Sequence, residues 1–385
     1  MLSRKIADRL AVYPTPFYLY DIDLLRETLR RAVGESSRYG YKIHYALKAN
    51  FDPRILREAL QAGLGVDCVS GNEVRYAIEA GCPASGVVYA GVGKSDKEIM
   101  YSLEQGIFAF NCESRHELEI INELAAGLGK VARVALRINP DVDPMTHRYI
   151  STGQADSKFG ISYKEIEEVA ARLPELKNIE IVGLHFHIGS QIRELRVFEY
   201  LCLRVNTLWQ WFTDHGFRLK HVNLGGGLGI NYDQPESELV PDFATYFSIF
   251  NEYLKIDSSV EVHFELGRSL VGQCGELISR VLYNKVTAGG KNVAIVDASM
   301  TELIRPALYQ AHHAIENLTP GAGETLYTIA GTVCESSDIF ARDVRMPELR
   351  RGDLVSIKSA GAYGSAMASR YNLHDLPEAV YSDSL

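Results

Sequence analysis

A lysine, two histidines, a run of glycines and a glutamate stand at the ends of short apolar runs in this sequence of 385 residues. They are Lys48 in YALKAN, His185 and His187 in GLHFHIGSQ, Gly225, Gly226 and Gly227 in NLGGGLG, and Glu265 in FELGR. Burial disfavours a lysine's charge, so a lysine in a pocket is expected with a depressed pKa, the usual state of a Schiff-base nucleophile. The plain alternative is a lysine that snorkels to a rim. Consecutive glycines let backbone N–H groups approach phosphate oxygens closely; without a ligand they would form only a tight turn. His185 and His187, two apart on a strand, share one face. Such a pair can hold a divalent metal, but a barrel site of that kind wants the pair on the first strand and an aspartate on the last, and this sequence has neither. Stacking on a planar ring accounts for His187 without metal and leaves His185 as a core histidine. Glu265 can keep a pyridine nitrogen protonated, which makes the ring an electron sink for a carbanion. It can equally pair with Arg268.

These positions need a scaffold that brings them together. From about Tyr41 to Gly267, eight β-rich runs (YKIHYALK, GVDCVS, VVYAG, IFAFN, RVALRIN, IVGLHFHIG, HVNLGGG and VEVHFELG) alternate with helix-length stretches. Stretches such as DPRILREALQAG carry apolar residues at i, i+3 and i+4. Eight strand–helix units imply an α/β fold, a (β/α)8 TIM-type barrel, whose working residues gather at the C-terminal strand ends. That rule sends Lys48, Asp67, Asn111, Arg137, His187, the glycine run and Glu265 to one mouth. The glycines follow the seventh run, where barrels commonly bind phosphate. Beyond Cys274 the segments ELISRVLYNKV, KNVAIVDAS, ETLYTIAGTV and DLVSIKSAGAY are strand-like and separated by turns. The expected organisation is a barrel over 23–274, with 1–22 and 275–385 forming a mostly-β, sandwich- or barrel-like domain.

Forty basic against forty-nine acidic residues, with no basic block, argue against a nucleic-acid partner. No stretch approaches the roughly 20 apolar residues of a membrane span, and the N-terminal segment has no signal-type apolar region. Six scattered cysteines without a C-x-x-C pair suit reduced thiols in a cytosol. Five read as small buried hydrophobes; Cys334 is the exception.

YALKAN, GLHFHIGSQ, NLGGGLG, FELGR, VCESSD and GAYGSAMASRYN, in that order over residues 45–372, resemble the signatures of the fold-type III pyridoxal-phosphate decarboxylases. The resemblance implies pyridoxal 5'-phosphate held as a Schiff base on Lys48, with His187 stacked on its ring and Glu265 at its pyridine nitrogen. Gly225, Gly226, Gly227, Arg268 and Tyr363 would surround the phosphate, with Ser190 nearby and Asp67 and Arg137 in support. MTELIRPALYQAHH is most similar to members whose substrate is meso-2,6-diaminopimelate, which loses one carboxylate to give L-lysine. Arg305 and Tyr309 would then grip the distal carboxylate and Glu335 the distal ammonium, with Arg268 and Tyr363 also near the substrate. The plain alternative for Arg305 is an ordinary surface arginine at a helix start. The family implies a homodimer in which Cys334 and Glu335 come from the second subunit, with Cys334 a candidate proton donor to Cα.

Two departures from the family pattern stand out, Leu266 for a proline and Ser337 for a glycine. HRYISTGQADSKFG is a candidate segment for closing over the substrate. Rival readings are a decarboxylase for carboxynorspermidine, ornithine or arginine, a racemase (which would want an arginine where Glu265 stands), and a cofactor-binding regulatory relative that has lost catalytic groups.

Overall fold

The computed structural model describes residues 2–143 and 158–385. In chain order the strands are β1 (Phe17–Tyr20), β2 (Lys42–Ala46), β3 (Gly65–Cys68), β4 (Val87–Tyr89) and β5 (Ala109–Cys112). Next come β6 (Ala132–Asn139), β7 (Ile161–Ser162), β8 (Ile179–His185), β9 (His221–Asn223) and β10 (Glu261–Leu266). The remaining strands are β11 (Gly275–Val286), β12 (Asn292–Val296), β13 (Ile315–Asn317), β14 (Thr325–Ala330), β15 (Ile339–Met346), β16 (Leu354–Ile357) and β17 (Glu378–Tyr381).

Strands β2, β3, β4, β5, β6, β8, β9 and β10 are parallel, and the β10–β2 pairing closes them into a ring of eight. Each of the eight apolar runs thus becomes a barrel strand. Local signals set the helices between them. Asp52 accepts from the N–H groups of Arg54 and Ile55 and starts the helix Pro53–Gln61, with proline at the position that lacks an intrahelical partner. That helix buries Ile55, Leu56 and Ala59 on one face. Ser95 and Glu98 form a capping box on Asp96–Gln105, which ends at Gly106 in the left-handed conformation.

Branched aliphatics usually fill such a barrel. Below this mouth the filling is a layer of imidazoles. His44, His221 and His263 are all buried, with His44 Nε2 at 2.9 Å from His263 Nδ1 and His263 Nε2 at 3.2 Å from Glu261. Phe108 stacks on His263, and the Arg133 guanidinium lies 4.8 Å from the Phe108 ring. Burial pushes all three histidines below their ordinary range, His221 to about 3.

The second sheet is mostly antiparallel and runs through β11, which pairs with β1, β12 and β16. β1 lies between β11 and β17, so both ends of the chain meet in one sheet. Its alternation divides two cores: Tyr18 and Tyr20 join the main core, Phe17 and Leu19 a smaller one with Ile278 and Leu354. The sheet is tied to the barrel beside Lys48. Tyr363 N–H donates to the Ala49 carbonyl at 2.7 Å, and the Asn50 amide donates to Gly361 O at 2.9 Å. Among the described residues, no helix is long and apolar enough to cross a membrane.

Candidate active site

At the C-terminal mouth lies a cavity of about 550 Å³. Its wall brings together Lys48, Arg137, His187, Ser190, Gly227, Glu265, Arg268, Tyr309 and Tyr363 from the residues singled out in the sequence. Asp67 lies directly beneath, fully buried, with Oδ2 at 3.6 Å from Lys48 Nζ. Outside the wall are Gly225, Gly226, Arg305, Cys334 and Glu335. Of the candidate closing segment, residues 147–157 lie outside the described residues; Phe159 lines the cavity and packs 4.8 Å from the Arg137 guanidinium.

Lys48 follows β2 in a single turn of 3-10 helix, Leu47–Ala49. The sequence leads one to expect a depressed pKa. The structure corrects this: burial pulls the amine down, but Asp67, Tyr363 and Glu265 outweigh it and hold the pKa above the ordinary value. The cost falls on Asp67. Burial, and then the charge of Glu265, push its carboxyl up to about 7 against the pull of Lys48. Neither Asp67 oxygen has a hydrogen-bond partner among the described residues. Lys48 and Asp67 thus form a buried pair in which the lysine keeps its proton and the carboxyl gives up its own only near neutrality.

Glu265, at the end of β10, is held on both oxygens. Oε1 accepts from the side-chain amides of Asn223 (2.7 Å) and Asn111 (3.1 Å), and Oε2 meets His185 Nε2 at 2.9 Å. His185 is therefore part of the site and lines the cavity, where the sequence had left it in the core. His187, two residues on, accepts from the Gly226 N–H at Nδ1 (3.2 Å), and burial beside Lys48 keeps its ring neutral. Arg137 donates to Glu113 at 2.5 Å, and Glu113 in turn accepts from the backbone N–H groups of Gly91 and Gly160.

The glycine run has a packing task that its sequence does not disclose. A Cβ on Gly226 would sit 2.0 Å from the Glu265 carbonyl oxygen, and one on Gly225 2.3 Å from that of Phe186. The Gly225 N–H already bonds the Asn223 side chain, so Gly227 is the member of the run that faces the cavity. Nearby, the Arg268 guanidinium donates to Ser190 Oγ (2.9 Å) and the Tyr232 hydroxyl (2.7 Å) and lies 4.7 Å from the Tyr363 ring. Its Nε has no partner among the described residues.

Arg305 is buried, which sets aside the plain alternative of a surface arginine. It starts the short helix Arg305–Tyr309, which carries Tyr309 to the cavity. Its guanidinium lies 4.5 Å from the Tyr232 ring and donates to His313 Nε2 at 2.7 Å, while His313 Nδ1–H donates to the Lys358 carbonyl at 2.8 Å. Cys334 is exposed, and Glu335 accepts from the Tyr371 hydroxyl at 2.6 Å. The two departures fit locally. Leu266 is buried at the end of β10, and Ser337 does not adopt the positive φ that would call for glycine.

A lysine, a neutral imidazole and an anchored carboxylate around a barrel mouth, with an arginine among hydroxyls, define a pyridoxal-phosphate enzyme of the barrel class. Residues 24–272 match the family described as pyridoxal-dependent decarboxylase, pyridoxal binding domain. Diaminopimelate decarboxylase of Bacteroides thetaiotaomicron is 50% identical over 98% of this chain and 98% of that one. The Aquifex aeolicus enzyme of the same name is 41% identical over 94% of this chain and 85% of its own. A crystal structure of a mutant of Helicobacter pylori diaminopimelate decarboxylase, complexed with L-lysine, superposes with a TM-score of 0.91. It is 38% identical and covers 97% of this chain and 93% of that one. The chain belongs to the pyridoxal-dependent decarboxylases and, within them, to the diaminopimelate decarboxylases. The residues present fit the cofactor: the Arg268 Nε, without a partner among the described residues, is a donor for an anion, and Lys48 and Glu265 face the same cavity.

Proposed function

We propose that this chain decarboxylates meso-2,6-diaminopimelate to L-lysine and carbon dioxide, as a cytosolic homodimer with pyridoxal phosphate held by Lys48. The observation that carries the reading is the cavity itself, with Lys48, His187, Glu265 and Arg268 in its wall and Arg305 buried close behind. When bound, the cofactor takes up the electron pair left as carbon dioxide departs. Asp67 Oδ2, 3.6 Å from Lys48 Nζ, holds the lysine nitrogen at the cavity wall. His187 offers a flat neutral ring, Glu265 an anionic acceptor for a ring N–H, and Arg268, Ser190, Gly227 and Tyr363 the polar end that binds phosphate. The diamino diacid needs one end anchored while the other reacts. Arg305 and Tyr309 hold the distal carboxylate, and Glu335 from a second copy holds the distal ammonium. Cys334 of that copy delivers the proton to Cα.

Carbon dioxide release by the cofactor-loaded protein, with meso-diaminopimelate set against ornithine, arginine, lysine and carboxynorspermidine, tests the reading. Release from diaminopimelate alone, with lysine as product, is expected. Release only from another substrate would overturn the assignment of Arg305, and none from any would favour a regulatory role.

A further inference from the structure

We propose that His185 is a positioning residue that fixes Glu265 as an acceptor-only carboxylate; the inference rests on the reading of Glu265 as partner of the cofactor's ring nitrogen. A carboxylate has about four lone-pair positions. Two amide N–H groups, from Asn111 and Asn223, occupy Oε1. An oxygen already accepting twice is a poor place for a proton, so any proton on Glu265 must sit on Oε2. There it meets His185 Nε2 at 2.9 Å, and one proton lies in that contact.

Where that proton rests decides whether Glu265 carries charge. On Nε2, it leaves Glu265 anionic and His185 Nδ1 a bare lone pair. On Oε2, it leaves Glu265 neutral and requires a second proton, taken up from solvent, on Nδ1, because an imidazole stripped of its only N–H would be an anion. Nδ1 has no partner among the described residues and the ring is 1% exposed. An under-satisfied buried acceptor is more readily tolerated than an orphaned buried N–H, which favours the first arrangement. Arg137, the residue opposite His185 on β6, keeps the ring from gaining a second proton; burial, with Arg137 second, holds the imidazole down at about 3. A neutral imidazole supplies the hydrogen bond without cancelling the charge it orients, which a lysine or arginine at this position could not do. The charged groups facing the pair are Lys48 from the end of β2, Asp67 from β3, Glu113 from just beyond β5 and Arg137 from β6, with His44 from β2 lying below Glu265.

The test uses the pyridoxal-phosphate-loaded enzyme and two variants, His185→Leu and His185→Gln, the second keeping a neutral N–H donor. The leucine variant is expected to retain the cofactor and to lose roughly 10- to 100-fold in kcat, the scale of one hydrogen bond to a charged group, with KM within about twofold. The visible absorption of the bound cofactor, followed against pH without substrate, should shift in the leucine variant and return toward wild type in the glutamine variant. An unchanged kcat per bound cofactor, or a loss of rate with an unchanged absorption titration, would overturn the proposal in favour of simple packing. Should the leucine variant fail to fold, His185→Gln against His185→Asn, whose amide is one bond too short, makes the same comparison. A wild type that binds cofactor yet releases no carbon dioxide would overturn the proposed function, while the absorption series would still decide the role of His185.

Discussion

The barrel mouth and the β domain supply the site in different states of completion. In the barrel, Glu265 has three side-chain partners and Arg268 two, all within one chain. In the β domain, Cys334 and Glu335 stand at the surface, with Tyr371 as Glu335's hydrogen-bond partner. Groups assigned to the cofactor are thus held by their own chain, whereas of those assigned to the substrate's far end Tyr309 lines the mouth cavity and Glu335 stands exposed outside its wall. Arg305 falls between the two. It is buried in the β domain, but its partner His313 faces it from the same domain and the Tyr232 ring faces it from the barrel.

The largest expected effect tests the finished half. Lys48→Ala should lower carbon dioxide release by at least roughly 10³-fold, about 4 kcal/mol, with little change in thermal stability. A near wild-type rate would remove the mouth from the chemistry. Arg305→Met should cost roughly 10- to 100-fold in kcat/KM for diaminopimelate, the scale of 1.5–3 kcal/mol for hydrogen bonds to a charged group, mainly through KM. No change would leave Arg305 as a structural partner of His313. Glu335→Gln should cost about tenfold on the same energy scale. Mixed and reassembled with Lys48→Ala, it should recover about a quarter of the wild-type activity, since random pairing makes half the dimers hybrid and each hybrid has one intact site. No recovery would show that the two residues serve their own chain.

The smallest effect concerns stability. Asp67 has a folded pKa raised to about 7, so it binds its proton more tightly folded than unfolded, and its contribution declines as pH rises from about 4 to 7. Asp67→Asn should therefore melt at the same temperature as wild type near pH 4 and higher at pH 8, by no more than about 4 kcal/mol. Calorimetry of the cofactor-free protein at the two pH values checks this; a lower melting temperature at pH 8 would mean that Asp67 stabilises Lys48 more than burial penalises it.

Much of the architecture could be read from the residues because the period of two in each strand and the glycine-ended helices are local signals. Strand ends alone brought Lys48, Arg137, His187 and Glu265 to one cavity. What escaped depends on closure of the ring. That His185 meets Glu265, with Asn223 beside it, follows from the β8–β9 and β9–β10 registers, which no single strand contains. The direction of the Lys48 shift depends on Asp67, whose place beside the end of β2 is set by the β2–β3 register. The glycine run was visible, but the carbonyls that forbid a Cβ at Gly225 and Gly226 come from the ends of the neighbouring strands β8 and β10. Glu113 and His313, polar partners of the two arginines, carry no sequence pattern that would distinguish them from other polar residues.

The placement of β1 has a consequence for how the chain is made. Its residues Phe17, Tyr18, Leu19 and Tyr20 are each 1% exposed when folded, yet their antiparallel partners are residues 275–278 and their parallel partners 378–381. At the usual synthesis rate of about 5–20 residues per second, more than 250 residues must follow β1 before its first partner exists, a wait of roughly 13–50 s. The whole barrel is synthesised in that interval. The nascent chain therefore carries apolar residues whose sheet partners do not yet exist while the barrel is made behind them, exposed surface of the kind that chaperones cover.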